Sequence, residues 1–350
     1  MKKRMILMGC ILGAVLLLGL CCLIFIPGGD RPEVPTEPSA VTDPPTDPPT
    51  DPPTDPPTDP PTDPPTEPPT EPLTEPPTEP PTEPPTEPPT EPRESVLLEM
   101  SQHTYIVTDP DNARGLSTKS SGHGFGLAKN GQRPQMSIDN QKRFDRLSGV
   151  QALALDTKTT EKIMYLTFDN GYEYENLTAE ILDTLKEKNV KAAFFVTLNY
   201  AKKNPQLVRR MIDEGHIVGN HSSTHPQFPK LTREQMAREI ARLDNYLREN
   251  FDYTSPYFRF PEGESSVCAL ELVTSLGFKS VFWSFAYDDW DTENQKGADR
   301  AVATVTKRFH PGAVLLLHAI SRDNAEGLGR IIDEAHAQGY TFKSLDEHIF

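Results

Sequence analysis

From Asp43 to Pro92 the chain repeats a four-residue unit, D-P-P-T six times and then E-P-x-T forms, and those 50 residues cannot supply a packed core. Proline fixes φ and removes backbone donors, and Leu73 is the only apolar intruder. The stretch is expected to be a disordered, extended polyproline II stalk, about 155 Å long at ~3.1 Å per residue. Each unit carries one acid, thirteen in all, so most of the formal charge of −16 belongs to the stalk. From Ser95 onward, 30 basic and 34 acidic residues leave −4. A folded part so nearly balanced has no nucleic-acid-binding character.

Ahead of the repeat, Lys2, Lys3 and Arg4 precede residues 5–26, which contain no charge. At ~1.5 Å per residue they reach roughly 33 Å, enough for a bilayer. The apolar run exceeds that of a cleaved signal peptide and no A-x-A-like site follows it. A single-pass transmembrane helix is expected in the cell membrane, with the basic tip inside and everything after Ile26 extracytoplasmic. Three of the four cysteines lie in that segment, so the exported part holds only Cys268 and no intramolecular disulfide. The expected organisation is an anchor over 1–27, a stalk over 28–94, an irregular wrapping extension over 95–160, and a folded domain over 161–350.

From Ile163 short apolar runs alternate with amphipathic segments: IMYLTF, NLTAEILDTLKEK, AAFFVTL, PQLVRRMIDEG, HIVGN, and so on to AVLLLHA, NAEGLGRIIDEAHAQG and YTFKSLDEHIF. About seven such alternations imply an α/β protein with a parallel sheet, closed or nearly closed as a distorted (β/α)7-type barrel. In such a barrel reactive groups collect at the C-terminal ends of the strands. Those ends read TFDNG, GNHSSTH, RFPEG, AYDDW and LLLH, so acids, histidines and an arginine converge on one mouth. His221 and His225 are four apart, which one helical turn would bring onto one face to share a divalent metal. A hydrolytic site needs a third ligand, and residue 170 is the natural candidate.

These five strings, in this order over residues 161–345, resemble the five motifs of the polysaccharide deacetylases, carbohydrate esterase family 4. FDNGYE, WSFAYDDWD, LLLHAISRDNAEGL and GYTFKSLD look most like the delta-lactam-forming muramic acid de-N-acetylases of spore-forming bacteria, and HGFGLAKNGQRP is similar to their N-terminal extension. The resemblance makes Asp169 the general base, oriented by Arg259, and gives Asn170, His221 and His225 the metal-ligand positions. It makes the backbone N–H of Glu262 the oxyanion donor and His318 the general acid tuned by Asp289. By the same resemblance Trp283 and Leu316 would line the acetyl pocket, and Tyr172 is a further substrate-binding candidate.

The implied cofactor is a weakly held divalent metal, zinc by its ligand types. Amide hydrolysis asks independently for an activated water, a stabilised oxyanion and a proton for the leaving amine. Two residues depart from the pattern: Asn170 stands where most of the family has aspartate, and Glu262 where the subgroup usually has a basic residue.

The implied function is metal-assisted de-N-acetylation of peptidoglycan amino sugars, muramic acid first, leading to muramic delta-lactam. The alternatives are deacetylation of N-acetylglucosamine, chitin-type or O-acetylated wall polysaccharide, and a non-catalytic wall-binding module on a stalk. Peptidoglycan strands and, through residues 5–26, the membrane are the expected partners; no nucleic acid or protein partner is expected.

Overall fold

A computed structural model describes residues 91–350. The expected anchor at residues 5–26, and the stalk as far as residue 90, lie outside the described residues. Among the described residues no helix is long and apolar enough to cross a membrane. Ordered contacts begin at the last residues assigned to the stalk. Arg93 pairs with Asp111 at 2.6 Å and approaches Glu234 at 3.5 Å, and the Asp109 N–H donates to the Glu94 carbonyl.

The segment 95–160 carries more regular structure than its weak periodicity suggests. Strands β1 (Ser95–Glu99) and β2 (Thr104–Thr108) form an antiparallel hairpin in which Ser95 pairs with Thr108. Leu98, Tyr105 and Val107 point inward at period two, and that is enough to bury one face. Helix α1 (Gln135–Asp145) buries Phe144, and β3 (Ala152–Leu153) joins the main sheet. The expectation of an irregular wrap is therefore corrected: short elements form because partners far along the chain cover them.

The remaining strands are β4 (Ile163–Asn170), β5 (Ala193–Val196), β6 (Ile217–Asn220), β7 (Tyr257–Phe258), β8 (Lys279–Val281), β9 (Ala313–His318) and β10 (Thr341–Phe342). All pairings are parallel, in the order β10-β4-β5-β6-β7-β8-β3, with β9 also against β4. The sheet curls, and single bridges from Phe285 to Leu315 and from Leu155 to Ala313 bring its far end to β9. The run SVFWSF thus leaves the ladder after Val281 and changes partner.

β4 shows why the sheet is buried on both sides. Ile163 and Tyr165 face an inner cluster with Phe195, Tyr257, Val281 and Val314, whereas Met164, Leu166 and Phe168 face the helix layer with Ile181, Leu182 and Leu328. Those outer residues come from α2 (Leu177–Glu187) and α8 (Arg322–Ala337). Between β5 and β6 lie α3 (Leu198–Lys203) and α4 (Pro205–Asp213). The strand expected over AAFFVTL stops at Val196 because the Thr197 hydroxyl caps α3, accepting from the Tyr200 N–H at 3.1 Å. The long helix α5 (Arg233–Phe251) starts at a capping box of Thr232 and Gln235. It packs with α6 (Val267–Ser275) beneath the hairpin. Helix α7 (Ala298–Thr306) precedes β9.

Candidate active site

Period two on β4 sends Asp169 into the mouth of the curled sheet, where only 9% of it is exposed. Its Oδ1 accepts from Arg259 Nη1 at 2.7 Å, and its Oδ2 lies 3.6 Å from His221 Nε2. Arg259, just past β7, is fully buried and almost fully bonded. Its Nε donates to the Val281 carbonyl, its Nη2 to Thr167 Oγ1 at 2.8 Å, and its guanidinium lies 4.1 Å over the Phe195 ring. Gly219 makes that stack possible, because a Cβ there would meet the Phe195 ring at 2.4 Å.

Burial pushes the Asp169 carboxyl up, but the Arg259 guanidinium, with His318 beside it, outweighs burial and holds it below the usual carboxylate range. The carboxylate is thus an ionised acceptor, fixed by one oxygen and free at the other. Burial pulls His221 down to about 4, so its ring is neutral.

His221 and His225 do come together, with ring centroids 4.8 Å apart at 77°, but no helical turn does it. Residues 221–227 form a loop in which Ser222 and His225 have φ of 68° and 59°. The helical spacing expected for this pair is corrected accordingly. The loop is held by side chains: Asn220 Oδ1 accepts from the Ser222 N–H, Ser222 Oγ from the His225 N–H, and Glu239 Oε2 from the Ser223 and Thr224 N–H groups. This local hydrogen bonding offsets the cost of the left-handed residues.

The chemistry of the donors fits a divalent cation. His221 Nδ1 is engaged with the Arg259 carbonyl at 2.9 Å, leaving Nε2 as the free ligand atom. Asn170 is fully buried, and its Oδ1 has no hydrogen-bond partner among the described residues. Alternation sets Asn170 on the helix-facing side of β4, where its Nδ2 donates to Thr178 Oγ1 at 3.3 Å. Among the described residues no three His, Cys, Asp or Glu side chains gather at metal-ligand spacing. Asn170, the third donor expected from the sequence, bonds Thr178 on the α2 side and is not among the residues lining the cavity with His221 and His225.

Across the mouth, His318 ends β9. Its Nδ1 meets Asp289 Oδ1 at 2.7 Å, and its backbone N–H donates to Asp289 Oδ2 at 2.8 Å. Asn324 Nδ2 also donates to Asp289 Oδ2, and Asp289 is buried. Burial pulls the His318 imidazole down, yet the Asp289 carboxylate outweighs it and the pKa is raised. The second ring nitrogen is left for the cavity.

Asp169, Tyr172, His221, His225, Glu262, Trp283, Leu316 and His318 all line one cavity of about 800 Å³. Glu262 sits in the 3-10 turn Pro261–Gly263 with φ 57°, and its N–H has no acceptor among the described residues. Its side chain turns aside to accept from Gln227 at 3.0 Å. The next residue, Gly263, has φ 68° and leaves room for the Trp283 ring, which a Cβ would meet at 2.7 Å.

The sequence reading missed Phe125 and Trp290, which also line the cavity. Trp290, 59% exposed, and Tyr172, 46% exposed, both line this cavity. His123 lies behind Trp283, its Nε2 at 2.7 Å from the Trp283 carbonyl. The string GHGFG was the only signal for either extension residue.

Residues 156–281 match the family described as Polysaccharide deacetylase. The chain is 46% identical over 196 residues to the peptidoglycan-N-acetylmuramic acid deacetylase PdaA of Bacillus subtilis, covering 55% of this chain and 73% of that protein. It is 32% identical over 217 residues to a peptidoglycan-N-acetylglucosamine deacetylase of Bacillus cereus, covering 60% of this chain and 78% of the other. Among solved structures, that of B. subtilis PdaA, a family 4 carbohydrate esterase, aligns with a TM-score of 0.63 and 40% identity over 66% of this chain and 97% of the other.

Proposed function

The chain belongs to the polysaccharide deacetylase family, and from that premise we propose that it hydrolyses N-acetyl groups on peptidoglycan amino sugars, with N-acetylmuramic acid as substrate and muramic delta-lactam as the downstream product. The observation that carries this reading is the pair of buried charge contacts facing one cavity, Arg259 on Asp169 and Asp289 on His318. One makes a base that is ionised and the other an acid that is protonated, and amide hydrolysis needs both. Muramic acid is favoured over glucosamine by the 46% against 32% identity of the two relatives.

In this mechanism Asp169 takes a proton from the attacking water through its unbound oxygen, while Arg259 fixes the carboxylate. The Glu262 N–H donates to the carbonyl oxygen as it gains charge. His318 gives its proton to the departing amine nitrogen as the C–N bond breaks, and Asp289 stabilises the imidazolium beforehand. Trp283 and Leu316 enclose the acetyl methyl, and the exposed rings of Tyr172 and Trp290 offer faces for sugar. His221 and His225 would hold a divalent cation, zinc by donor type, with Asn170 the third ligand that the resemblance implies; the ion would supply Lewis-acid polarisation and acidify water when bound. The products balance as one acetate and one free amine per water.

The retention of all four charged partners argues against a retired, purely wall-binding protein. Residues 5–26 as a membrane anchor and 28–94 as a spacer reaching wall polymer complete the proposal. Mass spectrometry of products from defined peptidoglycan, with and without stem peptide, tests it. Loss of acetyl from the muramic residue is expected. Loss from glucosamine instead would favour the alternative substrate, and no loss at any metal loading would end the enzymatic reading.

A further inference from the structure

We propose that Asn324 is a positioning residue for His318: locked by the Tyr287 hydroxyl, its amide fixes the Asp289 carboxylate, so that the imidazole keeps Nδ1 on Asp289 and turns Nε2 to the cavity. The inference rests on the hydrolytic reading given above and adds the group that orients its acid.

The Asp289 carboxylate meets three donors from two elements. Its Oδ1 faces His318 Nδ1 at 2.7 Å, while its Oδ2 accepts from the His318 backbone N–H at 2.8 Å and from Asn324 Nδ2 at 2.5 Å. With the backbone N–H alone, the carboxylate could swing about that one contact. A second donor on the same oxygen, sent from the first turn of α8, fixes the plane and so aims Oδ1 at the ring. The turn between β9 and α8 sets the distance. In it the Ser321 N–H donates to the His318 carbonyl at 3.2 Å, and Ser321 Oγ accepts from the Asn324 N–H at 3.2 Å.

An asparagine can offer oxygen or N–H, and only one choice serves here. A carboxylate solely accepts, so the amide must turn Nδ2 to Asp289, which leaves Oδ1 for the Tyr287 hydroxyl at 2.5 Å. That second bond opposes a flip that would set two oxygens against each other. Asn324 and Asp289 are both buried, so solvent cannot stand in for either partner. Tyr287 and His318 both line the cavity, and the chain from one to the other therefore begins and ends at its wall. Once His318 has given up its Nε2 proton, the neutral ring must keep the remaining one on Nδ1, and that is the tautomer this chain selects.

The test is nitrogen NMR of the full chain labelled at histidine, recorded above the titration of His318 and assigned by difference with His318→Gln. The thermal midpoint and kcat and KM for acetate release are measured alongside. Wild type is expected to show neutral His318 with its proton on Nδ1, and Asn324→Ala a mixture of both tautomers. In Asn324→Ala kcat should fall about 10- to 100-fold, part of what a positioned acid contributes, while KM changes less than about twofold. Tyr287→Phe removes one hydroxyl and keeps the amide, so it holds the test open if Asn324→Ala does not fold. It should shift the tautomer the same way by less, and cause no further shift when added to Asn324→Ala. A lower midpoint in Asn324→Ala with the Nδ1 tautomer and kcat of wild type would make Asn324 a packing residue and overturn the proposal. A further tautomer shift in the double variant would overturn the link through Tyr287. The expected tautomer shift in a protein whose wild type releases no acetate would support the positioning and overturn the hydrolytic reading alone.

Discussion

Gly219→Ala adds one methyl group at the point where the active-site charges are braced from below. Gly219 lies opposite Phe195 in the β5–β6 register, and the new Cβ would stand 2.4 Å from Cδ1 and 2.5 Å from Cε1 of that ring. Carbon atoms in contact sit about 4 Å apart, so the ring must retreat by about 1 to 1.5 Å. Above it the Arg259 guanidinium is 4.1 Å away, wholly buried and tied to Val281, Thr167 and Asp169. Overpacking of this kind costs about 1–3 kcal/mol. In a domain of this size that lowers the melting temperature by roughly 2–12 °C.

If the ring carries Arg259 with it, Asp169 loses its alignment, and misplacement near 1 Å costs up to about 10²-fold in kcat. KM should change little, because Gly219 does not line the cavity. Calorimetry and acetate release measure both effects, and adding Phe195→Leu to Gly219→Ala should recover part of each by shrinking the ring. A Gly219→Ala protein with wild-type melting temperature and kcat would refute the bracing argument. So would a kcat loss that Phe195→Leu leaves untouched.

Asp169→Ala should lower kcat by at least about 10²-fold with little change in zinc affinity, read by acetate release and titration. Asp289→Asn removes the carboxylate that raises His318 and leaves burial to pull it down, so the alkaline limb of the pH–rate profile should move to lower pH. A raised histidine stabilises the fold fully below its unfolded value of about 6.5, and that contribution is lost as pH climbs through the folded value. Asp289→Asn should therefore cost more stability at pH 6 than at pH 9 in denaturant titrations. Asn170→Asp should bind zinc more tightly without a proportional gain in turnover, since an anionic ligand holds the ion while blunting its electrophilicity. Removing residues 43–92 should leave turnover of soluble fragments intact and reduce it on intact sacculi.

The site was legible wherever chemistry sat at a strand end. Asp169, Arg259, Trp283 and His318 each follow an apolar run, and the parallel sheet brings such ends to one mouth by rule. Asn170 was singled out for the same reason, although the alternation that turns it toward α2 instead of the mouth was also there to be read. The His221–His225 loop was not legible, because spacing four suggests a helix and nothing local announces two left-handed residues held by Asn220 and Glu239. His123 escaped because its partner, Trp283, is 160 positions away, and Phe125 because the cavity it lines is built from strands far along the chain. β3 escaped for a similar reason, since two residues become a strand only when β8 lies beside them.

The hairpin at the start of the folded region also decides how the domain meets a mechanical load. Tension arriving from the N-terminal side reaches Ser95, whose partner Thr108 lies at the same, open end of the hairpin. A pull there would load the β1–β2 rungs one at a time instead of shearing them together. Arg93 stands at the point where peeling begins, tied to Asp111 and close to Glu234. β1 is thus the first element such a pull would meet, whereas Asp169 and His318 lie on β4 and β9, outside the hairpin.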